Sequence, residues 1–436
     1  MKTRTTIERR QFLAGLAAAP LAVGCSTVRS ATPAAAVVAP ADVWARVRAE
    51  FTLSPDWLHF AGFLLASHPR RVREAIEQHR RGLDDNPPLY LDAHEADLSP
   101  ILKPAATYMG VAPEQIALTD STTMGLAMLY HGLPLRAGDE VLTTAHDHYS
   151  TYESLRLAAE RSGATVRKVP LYEAPAKATV AGMAGAIERA LAPATKVVAI
   201  TWVHSGTGVK TPVRAIADVI ARANAARTPE NRILLCVDGV HGFGVEGTTM
   251  PELGCDFFVA GTHKWMFGPR GTGVIWGRPE LWPSLCPTIP AFAFASYMAW
   301  IQGAPQPPVS ADLMSPGGFH SFEHRWALGE AFEFHLEIGK AQVAARIHEL
   351  NRQCKAGLAA MKHVTLHTPM ADDVSAGIIT FEVAGLKPDD VVKRLHAKRI
   401  VASQTPYATT YARLAPGLLN SPQDIETVLR EVRALG

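Results

Sequence analysis

The chain has 436 residues, 47% of them hydrophobic and 19% charged, an ordinary globular balance with material for a large core and length for two domains. Lysine plus arginine number 43 against 41 for aspartate plus glutamate, a formal net charge of +2, and no basic stripe points to nucleic acid or to an anionic surface. Five cysteines, Cys25, Cys236, Cys255, Cys286 and Cys354, share no metal-ligand spacing, and the last four lie in apolar or helical contexts expected to bury them.

The chain starts MKTRTTIERRQFLAGLAAAPLAVGCS: a charged stretch, the pair Arg9-Arg10, Phe12 and Leu13, then an apolar run too short and too rich in Ala and Gly to span a bilayer. That pattern is a signal peptide. The segment ERRQFLAG resembles the twin-arginine export signal, without the lysine that often follows the Phe-Leu pair; a general secretory signal is the alternative. The resemblance implies handling by the twin-arginine export machinery, a periplasmic destination and a protein that folds, often around a cofactor, before it crosses. LAVGCS also resembles a lipoprotein processing box, with Ala22 where leucine is usual, so membrane attachment is expected only if Cys25 is lipidated. Residues 1–41 are thus a signal and an Ala/Pro-rich spacer, and folding is expected from Asp42.

Helical spacing runs through RRVREAIEQHRRGLDD, where Pro87-Pro88 stops it. STTMGLAMLYHGL opens on hydroxyl residues suited to a helix cap. Strands and helices then alternate: DEVLTTAHDH, YSTYESLRLAAERSG, ATVRKVPL, VAGMAGAIERALA, TKVVAITWV, TPVRAIADVIARANAA, RILLCVDGV and DFFVAG. Such alternation predicts an α/β fold with a mostly parallel sheet covered on both faces, whose ligands bind beyond the carboxyl ends of the strands. From Trp282 to Gly317 the pattern breaks into Pro-rich and aromatic sequence, either a loop lining the site or a contact for a second subunit. A long helical stretch from His320, the strand GIITFEV and two more helices predict a smaller α/β domain, 316–436, after a large domain, 42–315.

Polar residues at strand ends are the candidates for chemistry. Asp238 closes an apolar strand, with His241 three positions on; its carboxylate needs a cationic or N–H partner, or it serves as a turn residue. Lys264 follows DFFVAG among glycines and aromatic surface. It either snorkels past Trp265 to water or sits in a partly dry pocket as an easily deprotonated amine. Ser121, Thr122 and Thr123 stand at a helix start, where N–H groups and hydroxyls can hold a phosphate or form an ordinary cap. His146 and His148 follow another strand, where an imidazole could stack on a ring. An aspartate, a lysine and a phosphate-binding helix start are together the parts required by pyridoxal 5'-phosphate.

VDGVHGFG followed by GTHKWMFGPRGTG resembles the class V aminotransferase family of pyridoxal-phosphate enzymes, in particular its isopenicillin N epimerase-like branch, from about Leu58 to the C-terminus. The resemblance implies a fold-type I large domain around a seven-stranded sheet, a small C-terminal domain, a small-molecule amino-acid or peptide-derived substrate and a homodimer. It makes Lys264 the cofactor-bearing catalytic lysine and Asp238 the partner of the pyridinium nitrogen. His241 falls near the phenolic oxygen, Thr122 and Thr123 hold the phosphate with help from His263, and His148 stacks on the ring, a role that a one-residue gap would give to His146. Ser205 stands where many relatives carry an asparagine near the phenolic oxygen, and Gly261 where many carry a phosphate-binding serine. Arg413, in YARLAPGLLNSPQDIE, becomes the clamp on the substrate carboxylate.

The cofactor leaves the reaction open. A cysteine desulfurase needs a nucleophilic cysteine on the loop before the arginine; VASQTPYATTYAR has none, which argues against that activity. The export signal favours aminotransferase-like tailoring of an amino acid carried on a small secreted metabolite. An epimerase-like racemase, a C–S lyase and a non-catalytic binding protein remain as alternatives.

Overall fold

The computed structural model describes residues 40–95 and 97–436; the twin-arginine pair and Cys25 lie outside the described residues. The N-terminal part is helical: α1 (Pro40–Ala49), a short strand β1 (Leu58–His59), then α2 (Arg70–Asp85), α3 (Pro87–Glu95) and α4 (Ser99–Met109). Pro87 does end α2, but it also opens α3, because a residue with no N–H and a fixed φ suits the first helical position.

The alternating segment forms β2 (Ile116–Thr119), α5 (Thr122–Gly132), β3 (Glu140–Thr144), α6 (Tyr149–Ser162), β4 (Thr165–Val169), α7 (Val180–Ala190) and β5 (Thr195–Thr201). It continues with α8 (Val213–Asn224), β6 (Leu234–Asp238), α9 (Met250–Leu253), β7 (Phe257–Gly261) and β8 (Gly273–Gly277). These strands make one seven-stranded sheet in the order β2-β8-β7-β6-β5-β3-β4, and only β8 runs against the rest. The fold-type I expectation is met. Along β5, Val197 and Ala199 enter one apolar cluster while Val198 and Ile200 enter another, so both faces of the sheet are covered, as crossover helices require.

The Pro-rich stretch contains a helix, α10 (Phe294–Gln302), with Phe294, Tyr297, Trp300 and Ile301 exposed. The long helical stretch is three helices, α11 (Phe322–Trp326), α12 (Leu328–Ile338) and α13 (Lys340–Ala359), parted at Ala327 and Gly339. Phe322, Trp326, Leu328 and Phe332 pack into a cluster of the large sheet, so the boundary expected at 316 precedes elements that belong to that core. The separate C-terminal core starts at Leu350 and takes in Phe60 from the N-terminal part. It is built on β9 (Val364–Leu366), β10 (Ile379–Val383), α14 (Pro388–Ala397), β11 (Ile400–Val401), β12 (Ser403–Gln404), β13 (Ala412–Leu414) and α15 (Pro422–Arg433). β1 pairs with β11, and β12-β13-β10-β9 form an antiparallel sheet.

Cys236, Cys255 and Cys354 are buried, but Cys286 is exposed, correcting the expectation for that residue; it lies just past the turn after Trp282 rather than inside an element. Among the described residues no helix is long and apolar enough to cross a membrane.

Candidate active site

The strands β2, β3, β5, β6 and β7 all point their carboxyl ends at one cavity. It is lined by Phe63, Thr122, Thr123, His146, His148, Thr201, Ser205, Asp238, His241, His263, Lys264, Tyr407 and Arg413, among others. All nine residues singled out from the sequence therefore meet in one place.

The turn that carries Lys264 is tightly held. Thr262 O accepts from Gly268 N at 2.8 Å and Lys264 O from Phe267 N at 3.0 Å. Phe267 takes a left-handed φ of 55°, which costs a non-glycine residue energy; its ring is buried against Phe51 and His335, and that packing offsets the strain. His335 Nε2 donates to Trp265 O at 3.1 Å. Gly244, at φ 87°, lets the turn approach, because a Cβ there would stand 2.6 Å from the Trp265 carbonyl carbon. The Trp265 ring packs against Gly377 and Gly417, so Lys264 does not snorkel past it.

Lys264 Nζ instead lies 3.3 Å from His241 Nε2. Burial pushes its pKa down to about 8, Asp238 pulls it up and Arg413 pushes it further down. Asp238 is fully buried; its Oδ1 accepts from Val240 N at 3.2 Å, and burial raises its pKa to about 6 against the pull of that bond and of Lys264. His241 is buried and its pKa is held well below the ordinary value, first by burial and then by Lys264 and Arg413. Among the described residues its Nδ1 has no hydrogen-bond partner, and neither does the hydroxyl of Thr201, which lines the same cavity.

At the start of α5, Ser121 Oγ accepts from Met124 N at 3.1 Å and Ser121 O from Gly125 N at 2.9 Å. That leaves the first-turn N–H groups of Thr122 and Thr123 at the positive end of the helix. Thr122 Oγ1 accepts from Gly261 N at 2.8 Å. A Cβ at Gly261 would stand 2.9 Å from Thr122 Oγ1 and 3.1 Å from the His263 ring, so the glycine that replaces the usual serine is demanded by the close approach of β7 to α5. His263 is half-buried, its pKa lowered to about 4 by burial and then by Lys264.

Asp147 shapes the histidine loop. Its carboxylate accepts from Thr143 Oγ1 at 2.8 Å, Thr144 N at 2.7 Å and Thr201 N at 2.8 Å, tying the ends of β3 and β5 together. His146 is already stacked on Tyr172, with ring centres 3.9 Å apart and planes 9° apart. His148 caps α6, its Nδ1 accepting from Ser150 N at 3.2 Å. On the far wall Arg413 is 3% exposed and lies over the Phe63 ring, 4.7 Å from its centre. It donates to Ser403 Oγ at 3.2 Å, Ser205 O at 2.9 Å and Gln404 O at 2.8 Å. A guanidinium has five N–H groups; with three engaged, one remains on each terminal nitrogen. Burial brings the Arg413 pKa down to about 10, so it stays charged at neutral pH.

Phe63 and Tyr407 also line the cavity, although neither closes a predicted strand or belongs to a recognisable motif. Tyr407 lies in VASQTPYATTYAR, shortly before Arg413, and that place in the chain is its one local signal. Among the described residues no cysteine lines the cavity.

The family described as Aminotransferase class-V matches residues 102–406. A probable cysteine desulfurase of Halalkalibacterium halodurans is 26% identical over 330 residues, 73% of this chain and 76% of that protein. Isopenicillin N epimerase of Streptomyces clavuligerus is 26% identical over 356 residues, 78% of this chain and 84% of its own length. Two solved structures of the cystine C–S lyase C-DES, each 21% identical, share the fold. The form with glycine covalently linked to the PLP cofactor has a TM-score of 0.81 over 89% of this chain and 99% of its own. The complex with cysteine persulfide has 0.78 over 87% and 98%.

The cofactor is pyridoxal 5'-phosphate, and the cavity suits it. A buried carboxylate with one N–H donor, an unpartnered imidazole nitrogen, an open helix N-terminus and an amine whose pKa is lowered to about 8 complement a pyridinium, a phenolic oxygen, a phosphate and an aldehyde.

Proposed function

The chain belongs to the class-V aminotransferase family, and from that premise we propose an exported enzyme that acts on the amino group or Cα of an amino acid, or of an amino-acid residue on a small secreted metabolite. The observation that carries this reading is one cavity holding a half-buried lysine, a buried aspartate and an arginine with two N–H groups to spare. ERRQFLAG supports export.

When bound, pyridoxal phosphate supplies an electron sink that weakens the bonds at the substrate's Cα. Asp238 would hold the proton on the pyridine nitrogen, and His241 would donate toward the phenolic oxygen. Thr122, Thr123 and His263 hold the phosphate, with the α5 dipole behind them. His148 would stack on the ring, a role it is better placed for than His146, which already stacks one face on Tyr172. Arg413 binds the substrate carboxylate with its two remaining N–H groups, which orients the Cα–H bond toward Lys264. Lys264 would anchor the cofactor and, once the substrate amine has displaced it, its freed Nζ would take and return the proton at Cα.

Cysteine desulfuration is disfavoured despite the relatives of that name, because neither the cavity nor residues 401–413 carry a cysteine. Racemisation is the second reading, favoured by the epimerase match across 78% of the chain. A non-catalytic binding protein is disfavoured by the joint presence of Lys264 and Asp238. A homodimer is part of the proposal; the exposed apolar side chains of α10 support it, since a patch of that kind is seldom left in water.

Incubation with amine-bearing secreted metabolites in deuterium oxide, followed by mass spectrometry and chiral chromatography, tests the reading. Loss of the amine with gain of a carbonyl supports tailoring by amino transfer. Inversion with Cα deuterium supports the epimerase. No exchange at Cα with any amine, by a protein loaded with cofactor, contradicts both.

A further inference from the structure

Tyr407, on the loop between β12 and β13, has no part in the roles given above. Its hydroxyl lies 2.5 Å from Ser205 Oγ, so one of the two donates to the other. The loop is braced: Thr405 N donates to Tyr411 O at 2.9 Å, Tyr411 N to Thr405 Oγ1 at 2.8 Å and Thr410 Oγ1 to Tyr407 O at 3.3 Å. Gly206 makes room for the ring, since a Cβ there would stand 3.0 Å from two of its carbons. The segment around Ser205 is gripped again at Thr207, whose carbonyl accepts from Thr368 Oγ1 at 2.7 Å and Thr380 Oγ1 at 3.1 Å. Between these two anchors lies the Ser205 carbonyl, the acceptor for one terminal nitrogen of Arg413; the Gln404 carbonyl holds the other.

We infer that Tyr407 is a positioning residue for the carboxylate grip: by holding Ser205 it fixes the carbonyl that orients Arg413. The guanidinium is then pinned at both terminal nitrogens before any substrate arrives, and the remaining N–H on each forms a fork already aimed. Such pre-orientation lowers the ordering cost of binding a carboxylate and leaves amines without one unaffected. The inference rests on the proposed role of Arg413, and its test separates the two.

Aminooxyacetate and methoxyamine both displace a lysine from pyridoxal phosphate, but only the first carries a carboxylate. The ratio of their reaction rates with the holoprotein, followed as loss of its visible absorbance, reads the grip without knowledge of the substrate. Wild type prefers aminooxyacetate. Arg413→Ala lowers that preference on the order of a hundredfold, the worth of two charge-assisted bonds. Tyr407→Phe lowers it about fivefold, with the methoxyamine rate, cofactor content and melting temperature unchanged. Ser205→Ala gives a similar fall, and the double variant falls no further, because both substitutions break one contact. If Arg413→Ala keeps the preference, the role of Arg413 is wrong and the inference goes with it. If Arg413→Ala loses the preference while Tyr407→Phe keeps it, or slows both probes alike, the inference about Tyr407 alone is overturned.

Discussion

Two lysines divide the molecule, one half-buried at the cavity and one fully buried. Lys264, at the rim of the large sheet, and Lys355, on α13 in the C-terminal core, both have pKa values pushed down to about 8 by burial. Their surroundings differ. Lys355 donates to the carbonyls of Pro369 and Met370 at 3.0 Å each and to Ser375 Oγ at 2.7 Å, which fills its three donors. Lys264 has only His241 Nε2 at 3.3 Å. A depressed pKa therefore does not by itself mark a reactive amine; unfilled hydrogen-bonding capacity facing a cavity separates the lysine held for chemistry from the lysine that is part of the frame.

The sharpest way to break this comparison is to remove both amines. Lys264→Met abolishes deuterium exchange at Cα, a loss of at least about a thousandfold, yet changes the stability of the cofactor-free protein less than loss of Lys355 does, because it gives up a single long contact, to His241 Nε2. Lys355→Met keeps the cofactor and the activity but lowers stability by about 2 kcal/mol, the cost of a buried and a partly buried carbonyl and a buried hydroxyl losing their donor. Calorimetry that finds both variants destabilised equally would dissolve the distinction. Asp238→Asn comes next: the amide cannot keep the pyridine nitrogen protonated, and activity falls about a hundredfold or more with little change in cofactor content.

A smaller effect is read from pH. The neutral amine of Lys264 captures the cofactor's aldehyde, so the rate at which cofactor-free protein binds pyridoxal phosphate rises with pH and levels off above about 8. The sign for stability follows from linkage. The unfolded lysine keeps its proton up to its ordinary value of 10.5 while the folded one loses it near 8, so Lys264 makes the cofactor-free protein more stable as pH climbs through that window. A binding rate that falls across the same range would place the reactive amine elsewhere. The smallest change is Gly261→Ser, which supplies the hydroxyl common in the family. It costs about 1–3 kcal/mol of stability because its Cβ meets Thr122 Oγ1 at 2.9 Å, and it weakens rather than tightens phosphate binding.

The strands β3, β5, β6 and β7 and the residues at their ends were legible in the sequence. A parallel strand buried on both faces reads as an apolar run, and the polar residue that closes it stands out. Lys264 and Asp238 each follow or close such a strand, Lys264 among glycines, while Thr122 was marked by the run of hydroxyl residues that opens α5. The two- and three-residue strands β1, β11, β12 and β13 could not be read, because pairing partners far along the chain create them. Tyr407 was hidden for the same reason: it meets Ser205 across 202 positions, a distance that no local pattern encodes. The helix α10 was masked by its flanking prolines and aromatics, which read as a loop although the nine residues between Ala293 and Gly303 carry no proline.

Reduction of the purified protein with borohydride, followed by peptide mass spectrometry, tests the central claim most directly, since it fixes pyridoxal phosphate to whichever amine holds it. The adduct is expected on the peptide that contains Lys264, with none on Lys355 and none in the Lys264→Met variant. An adduct confined to Lys355, or the same yield from Lys264→Met as from wild type, would contradict the account.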